Sequence, residues 1–322
     1  MIRREWLTRC ALASALLGAG AGPALADAPS VVASIKPVHA LVAGVMQGVG
    51  DPILLVDGSG SPHGYSLRPS EAGALEDADL VFWIGEGMET FLQKPLSALS
   101  SEARVVELGS LDGLTLLPLR EGGAWASHEH EHDAGHESHE HEEHAAVHGS
   151  SADMHAWLDP GNAGVMVDAI AEALSRADPD NAATYARNAE ALSADLSRLD
   201  EHLARRLAPV ADRPYVVFHD AYHYLEHRYG LNGIGSITVS PERPPGAQRL
   251  QEIRDDLARR EAACVFAEPQ FEPALVETVV EGTGARTGVL DPLGASLDEG
   301  PQQYFALLDG LAEALIKCLS AG

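Results

Sequence analysis

Short runs of apolar residues alternate with longer amphipathic segments along most of the chain. This alternation predicts β-strand–helix–β-strand units and a mostly parallel sheet, because parallel strands need long crossover connections. Two groups of such units are predicted, one on each side of a longer helical segment. The predicted strands are Val31–Ile35, Ile53–Val56, Leu80–Ile84, Val105–Leu108, Tyr215–Phe218, Ile234–Val239, Cys264–Ala267 and Thr287–Leu290. The predicted helices are Val38–Gln47, Pro69–Asp77, Met88–Leu99, Ala221–Arg228, Ala247–Arg260, Pro273–Glu281 and Gln302–Leu319.

The segment between the two groups has one uninterrupted helical pattern. Asp178-Pro179 is a start signal, since Asp caps helices and Pro suits their first turn. Roughly 28 residues at about 1.5 Å each would form a rod of about 42 Å. We expect one long linker helix between two α/β lobes; the alternative is an ordinary surface helix of a single large domain. Its apolar stripe is Tyr185, Ala189, Leu192, Leu196, Leu199 and Leu203.

The N-terminus has the pattern of a secretory signal peptide. Three arginines precede a short apolar run, and Ala24-Leu25-Ala26 is a small-x-small cleavage signal. A membrane anchor is the alternative, but glycines and Pro23 interrupt the apolar stretch and leave it too short to span a bilayer. The predicted organisation is a signal peptide over 1–26, an N-terminal lobe over 27–177, a linker helix over 178–208 and a C-terminal lobe over 209–322.

The composition is strongly acidic. Among 322 residues, 22 are Lys or Arg and 48 are Asp or Glu, which gives a formal net charge of −26. This balance argues against nucleic acids and anionic membranes as partners, because both are bound by basic surfaces. Removal of the signal peptide leaves Cys264 and Cys318. An even pair in an oxidising compartment suggests one disulfide, with two buried free thiols as the alternative.

Eight of the 15 histidines lie in one low-complexity segment, residues 128–148. The segment has no apolar periodicity, so we expect a loop that buries no core. Imidazoles and carboxylates suit Zn²⁺, which favours weak, exchangeable metal capture over the alternative of a solvated acidic loop. The histidines of this His-rich loop are His128, His130, His132, His136, His139, His141, His144 and His148.

Four further residues occupy positions typical of a metal site. His63 follows the second predicted strand, His219 the fifth and Asp291 the last, while His155 lies where ordered structure resumes after the His-rich loop. Ligands of open parallel sheets bind beyond the carboxyl ends of the strands. Three imidazoles and one carboxylate would form a tetrahedral Zn²⁺ site in the cleft between the lobes. Glu268 ends another strand, and we expect it to support the site rather than bind the metal.

Five motifs resemble those of the periplasmic zinc-binding proteins of high-affinity zinc ABC transporters, within the metal-binding cluster of solute-binding proteins. The resemblance covers essentially the whole mature chain. It implies two α/β lobes joined by a rigid helix, a single buried metal site, and delivery of the ion to a membrane permease. The motifs are Ser61–Ser70, Met154–Leu158, Val217–Tyr222, Val265–Phe271 and Leu290–Gly294.

The resemblance also implies individual roles. A Cys264–Cys318 disulfide is expected, and a histidine rather than a carboxylate at position 219 favours Zn²⁺ over Mn²⁺. Some relatives have an acidic residue before the first histidine, but this chain has Pro62, so no extra carboxylate ligand comes from there. In zinc members, water can share the fourth coordination position. The implied ligands are His63, His155, His219 and Asp291.

These observations predict a carrier rather than a catalyst. We expect a monomeric periplasmic protein that binds Zn²⁺ and delivers it to the permease of a zinc ABC transporter, with no nucleic acid partner. One alternative is a secreted zinc-dependent hydrolase, disfavoured because outside the His-rich loop the sequence has no His-Glu-x-x-His motif. The other is a metal-dependent adhesin.

Overall fold

A computed structural model describes residues 28–58, 60–98, 104–120, 125, 152–238 and 245–320. These residues form an α/β fold with two parallel four-stranded sheets, as the sequence predicted. The strands are β1 Val31–Ile35, β2 Ile53–Val56, β3 Leu80–Trp83, β4 Arg104–Glu107, β5 Tyr215–His219, β6 Gly233–Thr238, β7 Cys264–Ala267 and β8 Arg286–Val289. The sheets have equivalent strand orders, β2-β1-β3-β4 and β6-β5-β7-β8.

Helices connect the strands and join the two sheets. Short 3-10 turns, among them Pro62–Gly64 and Ala156–Leu158, lie between several of these elements. The α-helices of the described residues are α1 Lys36–Met46, α2 Pro69–Glu76, α3 Gln93–Ala98, α4 Pro160–Ala177, α5 Ala182–Leu207, α6 His223–Tyr229, α7 Ala247–Arg259, α8 Ala274–Val280 and α9 Gln303–Leu319.

One predicted helix needs correction, and one helix was missed. The helix predicted over Met88–Leu99 begins with a separate 3-10 turn, Thr90–Leu92, and only α3 is α-helical. Helix α4 was missed, although Asp159 caps it by accepting a hydrogen bond from the backbone N–H of Gly161 at 2.7 Å. Its buried residues recur at helical spacing, so the apolar pattern could have revealed it.

The long helix α5 is present and packs into the core. It has 26 residues, about 39 Å at the usual rise. The predicted apolar stripe is buried together with Leu207 and packs against α4, and the helix also contacts α1 and α9. Asp178 stabilises the start of the helix, because its carboxylate accepts hydrogen bonds from the side chains of Asn181 and Tyr185, both at 2.8 Å.

One continuous hydrophobic core reaches from the first sheet to the second. It includes the apolar faces of α1, α4, α5 and α9 and buried residues of both sheets. A smaller cluster lies between the second sheet and helices α7 and α8. The two lobes therefore share packed helices, while the lobe boundaries at 177/178 and 208/209 stay a prediction. None of the described helices combines the length and the hydrophobicity needed to cross a bilayer.

The predicted disulfide is present. Cys264 at the start of β7 is bonded to Cys318 near the end of α9, which ties the last helix to the second sheet. The bridge closes a loop of 54 residues in sequence. In the chain-entropy view, a loop of this size restricts the unfolded chain by about 4 kcal/mol.

Replacing both cysteines with alanine should therefore lower the free energy of unfolding by about 2–4 kcal/mol. Urea unfolding of the variant and of oxidised wild type measures the difference, with reduced wild type as a control. An unchanged unfolding midpoint would contradict this account of the bridge.

Candidate metal centre

His63, His155 and His219 lie close together, the first two at short turns between elements and the third at the end of a strand. His63 lies in the 3-10 turn Pro62–Gly64 that follows β2, and it is half-buried. His155 directly precedes the 3-10 turn Ala156–Leu158 and is 7% exposed. His219 is the last residue of β5 and is 5% exposed. The folding of both sheets is needed before these distant positions can meet.

The three imidazoles have the spacing of ligands to one metal ion. Their ring centroids are 5.3 to 5.8 Å apart, and each ring offers a nitrogen within 4.8 Å of the others. The Nε2 atoms of His155 and His219 are 3.4 Å apart. Two nitrogen ligands of a tetrahedral Zn²⁺, each about 2.05 Å from the ion, would be about 3.3 Å apart. The buried pair therefore already has the separation that zinc requires.

Two buried carboxylates orient the buried imidazoles. Asp153 Oδ1 is 2.7 Å from Nδ1 of His155, and Glu268 Oε1 is 2.6 Å from Nδ1 of His219. Each carboxylate also accepts a hydrogen bond from the backbone N–H of the same histidine. Because an ionised carboxylate can only accept hydrogen bonds, Nδ1 carries the proton in each ring. Nε2 of each neutral ring is then free to bind a metal.

The environment separates the pKa values of the two buried histidines. Burial and the positive charge of protonated His219 lower the pKa of His155 well below its ordinary value. Burial also acts to lower the pKa of His219, but the charge of Glu268 and its hydrogen bond outweigh it and raise that pKa. Burial raises the pKa of Asp153 to about 6. At neutral pH Asp153 is therefore ionised and His155 is neutral.

Asp291 follows β8, but the structure does not bring it into the group of three histidines. Its Oδ1 accepts hydrogen bonds from the backbone N–H groups of Leu293 and Gly294 and from Nε2 of Gln270, at 3.0 to 3.1 Å. Its Oδ2 accepts one from the backbone N–H of Ala295 at 2.6 Å. The carboxylate thus closes the turn after β8, and direct metal binding by Asp291 stays a prediction.

The loop histidines predicted to bind metal, and one histidine that neighbours the site, remain to be placed. The eight histidines of the His-rich loop, 128–148, lie outside the described residues. His223 lies next to the site, with its Nδ1 3.9 Å from Asp153 Oδ2, yet it does not belong to the metal-binding group. Sequence reasoning missed Asp153, although its position two residues before His155 was a signal. It also gave no role to Gln270.

The side chain of Trp157 packs against the ring of His155. Its ring is fully buried, with a centroid 5.2 Å from that of His155, and its Nε1–H donates to the carbonyl of Pro292 at 3.0 Å. The hydroxyl of Tyr304 donates to the carbonyl of Trp157 at 2.7 Å. These bonds connect the His155 turn to the segment after β8 and to α9. The His155 turn, which belongs to the N-terminal half, is therefore held by two hydrogen bonds to the C-terminal half.

The family model described as zinc-uptake complex component A, periplasmic (ZnuA), matches residues 31–318. This match covers nearly all of the described structure, including the three histidines. The chain belongs to the ZnuA family. Members are solute-binding proteins for zinc uptake, so the prediction of a zinc-binding carrier that is not an enzyme is confirmed.

Individual relatives agree with this assignment. The high-affinity zinc uptake system protein ZnuA of Brucella suis is 50% identical over 325 residues, covering 96% of this chain and 97% of that protein. A crystal structure of ZnuA superposes with a TM-score of 0.73 at 26% identity, covering 91% of this chain and 100% of the other. A zinc-bound ZnuA deletion mutant gives a TM-score of 0.71 at 27% identity, covering 92% and 100%.

Substitution of the carboxylate behind His219 tests its contribution to zinc affinity. Glu268→Gln should weaken zinc binding about tenfold, because it removes the negative charge that makes the imidazole a better ligand. Competition titration against a chelator measures this change. Glu272→Gln, at an exposed position nearby, is the matched control and should bind like wild type. Equal affinities of the two variants would show that Glu268 does not support the ligand.

Zinc affinity should also depend on pH through His219. Protonated His219 must release its proton before binding, so affinity should fall about tenfold for each pH unit below its raised pKa and level off above it. His155, whose pKa is lowered well below the ordinary value, should add no proton release near neutral pH. The same titration over a pH series measures this, and Glu268→Gln should shift the fall to lower pH. A flat profile through the histidine range would contradict the prediction.

Proposed function

We propose that this protein captures Zn²⁺ with His63, His155 and His219 and delivers it to the permease of a zinc ABC transporter. The observation that supports this most strongly is the 3.4 Å separation of the two buried Nε2 atoms, which equals the separation in a tetrahedral zinc site within about 0.1 Å. Zinc is the cargo of the protein and takes part in no reaction there.

The donor set favours zinc over harder cations. Three neutral imidazoles suit Zn²⁺, whereas Mn²⁺, Mg²⁺ and Ca²⁺ bind preferentially to oxygen ligands. The ion would retain its two positive charges among neutral rings, and the carboxylates of Asp153 and Glu268 lie one ring away to balance them. Cu²⁺ and Ni²⁺ also bind imidazole well, so geometry and metal availability have to discriminate against them.

Capture is proposed to occur in the periplasm. The family is periplasmic, and the three arginines, apolar run and Ala24-Leu25-Ala26 sequence support export through a signal peptide cleaved after Ala26. We propose that the mature chain acts as a monomer, because its zinc ligands all come from one copy. The oxidising periplasm also suits the Cys264–Cys318 disulfide.

Metal exchange is proposed to proceed through local movement at His63. His155 and His219 are buried, whereas His63 is half-buried and lies on a short turn after an edge strand. The shared core of α1, α4, α5 and α9 opposes large rotation of one sheet against the other. The permease would have to favour a state in which this turn has moved away, since tight binding otherwise prevents release.

The His-rich loop is proposed to increase the local supply of zinc. Its base lies close to the site, where Pro118 and Ala152 form an antiparallel bridge and Tyr224 donates a hydrogen bond to the carbonyl of Asp153 at 2.6 Å. Because its sequence has no apolar periodicity, we expect its histidines to bind zinc more weakly than the site between the sheets.

Deletion of residues 128–148 tests the division between the two kinds of site. The shortened protein should retain one tight zinc site, while the total number of bound zinc ions falls. His63→Ala in the full-length chain should instead remove one of three ligands and weaken the tight site at least about 100-fold while the loop sites remain. Isothermal titration calorimetry separates the two classes. Loss of the tight site on loop deletion would place zinc capture in the loop and refute the proposal.

A further inference from the structure

The cavity beside the three histidines is lined by a side chain with an unsatisfied polar atom. Gln270 borders this cavity together with Glu268 and Phe271, in the segment that follows β7. The Oε1 atom of Gln270 is buried and accepts no hydrogen bond from the described residues. A buried amide oxygen without a donor costs free energy, so it calls for an explanation in terms of what it binds.

The orientation of the Gln270 amide is fixed by Asp291. The Nε2 atom of Gln270 donates to Asp291 Oδ1 at 3.0 Å. An ionised carboxylate has no proton to donate, so the amide nitrogen, and not the oxygen, must face it. Asp291 is itself held by the backbone N–H groups of three residues in the turn after β8. This arrangement leaves Oε1 as the end of the amide that is turned away from Asp291.

Three histidines leave one position of a tetrahedral zinc ion without a protein ligand. Water is the usual occupant of such a position, and a zinc-bound water needs hydrogen-bond acceptors because its two protons become more acidic. We infer that Gln270 Oε1 accepts a hydrogen bond from the water that completes the coordination of zinc. This inference rests on the proposed function and adds to it a residue that positions the fourth ligand.

Asp291 acquires a different role in this arrangement. It acts as a positioning residue, because it sets the orientation of the Gln270 amide without contacting the ion. Four hydrogen bonds fix this unit, three from backbone N–H groups of the turn to Asp291 and one from the Gln270 amide to Asp291. The group next to the zinc-bound water would then be the neutral amide of Gln270 rather than the carboxylate of Asp291. The absence of a carboxylate from the coordination sphere makes the site less suited to harder cations.

The chain contains a matched control for Gln270. Gln303 also has a buried Oε1 that accepts no hydrogen bond from the part of the chain that the structure describes, and its Nε2 donates to the carbonyl of Leu293 in the same turn at 2.8 Å. It does not line the metal cavity. Substitution of Gln270 and of Gln303 by methionine, which has similar length and no amide, therefore separates an effect at the metal from the general effect of losing a buried glutamine.

The inference is tested by zinc affinity in a chelator competition assay on the full-length chain. Gln270→Met should bind zinc about tenfold more weakly than wild type, whereas Gln303→Met should remain within about twofold of wild type even if it lowers the melting temperature. Equal affinities of Gln270→Met and wild type would overturn the inference while leaving the proposed function intact. Failure of wild type to bind zinc tightly would instead refute the proposed function.

A crystal structure of the zinc-loaded wild type provides a test that requires no variant. It should show one water on the zinc, within about 3.2 Å of Gln270 Oε1, and Asp291 still bonded to the amide. An Asp291 oxygen within about 2.2 Å of the zinc would overturn the inference, as would a zinc-bound water with no contact to Gln270.

Discussion

Two hydrogen bonds between buried carboxylates and imidazoles determine what this site can do. Asp153 and Glu268 bind Nδ1 of His155 and His219, which fixes each ring in one orientation and directs both Nε2 atoms to the same point. Without these bonds the rings could rotate or present the wrong nitrogen. A metal would then have to order them on binding, at a cost in affinity. The 3.4 Å between the Nε2 atoms is the direct result of this arrangement.

The fold supplies the rigidity that these hydrogen bonds require. His219 ends a central strand of the second sheet, and His155 lies between the buried Trp157 and Asp153. The helices shared between the sheets keep the two halves in register, while the turn that bears His63 follows an edge strand of the first sheet. The site thus combines two buried histidines with one that lies on a shorter, more exposed element. Such a division suits a protein that has to bind an ion tightly and later release it.

Much of this arrangement could be predicted from the sequence, because it depends on the positions of strand ends. The β1, β2 and β7 boundaries agree with the apolar runs, and the long helix α5 has the predicted stripe. Positions after strands identified His63 and His219, since parallel strands present their carboxyl ends at one edge of a sheet. The same rule identified Glu268, after β7, as a supporting residue, but Asp153 follows no predicted strand. Asp153 was missed for this reason.

For Asp291, the position after a strand does not decide what the carboxylate binds, and metal binding by this residue stays a prediction. Its position after β8 suggested a ligand, yet the carboxylate is engaged by the backbone of its own turn and by Gln270. Whether an acidic side chain after a strand binds its own backbone or a neighbouring ion depends on the turn geometry, which the residue pattern does not specify. Helix α4 was missed for a simpler reason, because glycines at its start obscured a pattern that is otherwise regular.

X-ray absorption at the zinc edge tests the central claim most directly, since it counts the atoms bound to the ion. The protein lacking residues 128–148 and loaded with one equivalent of zinc isolates the site between the sheets. We expect three imidazole nitrogens at about 2.0–2.1 Å, with the outer-ring scattering typical of histidine, and one further light atom. A signal from fewer than two imidazoles, or from a shell dominated by carboxylate oxygens, would contradict the assignment of His63, His155 and His219 as the zinc ligands.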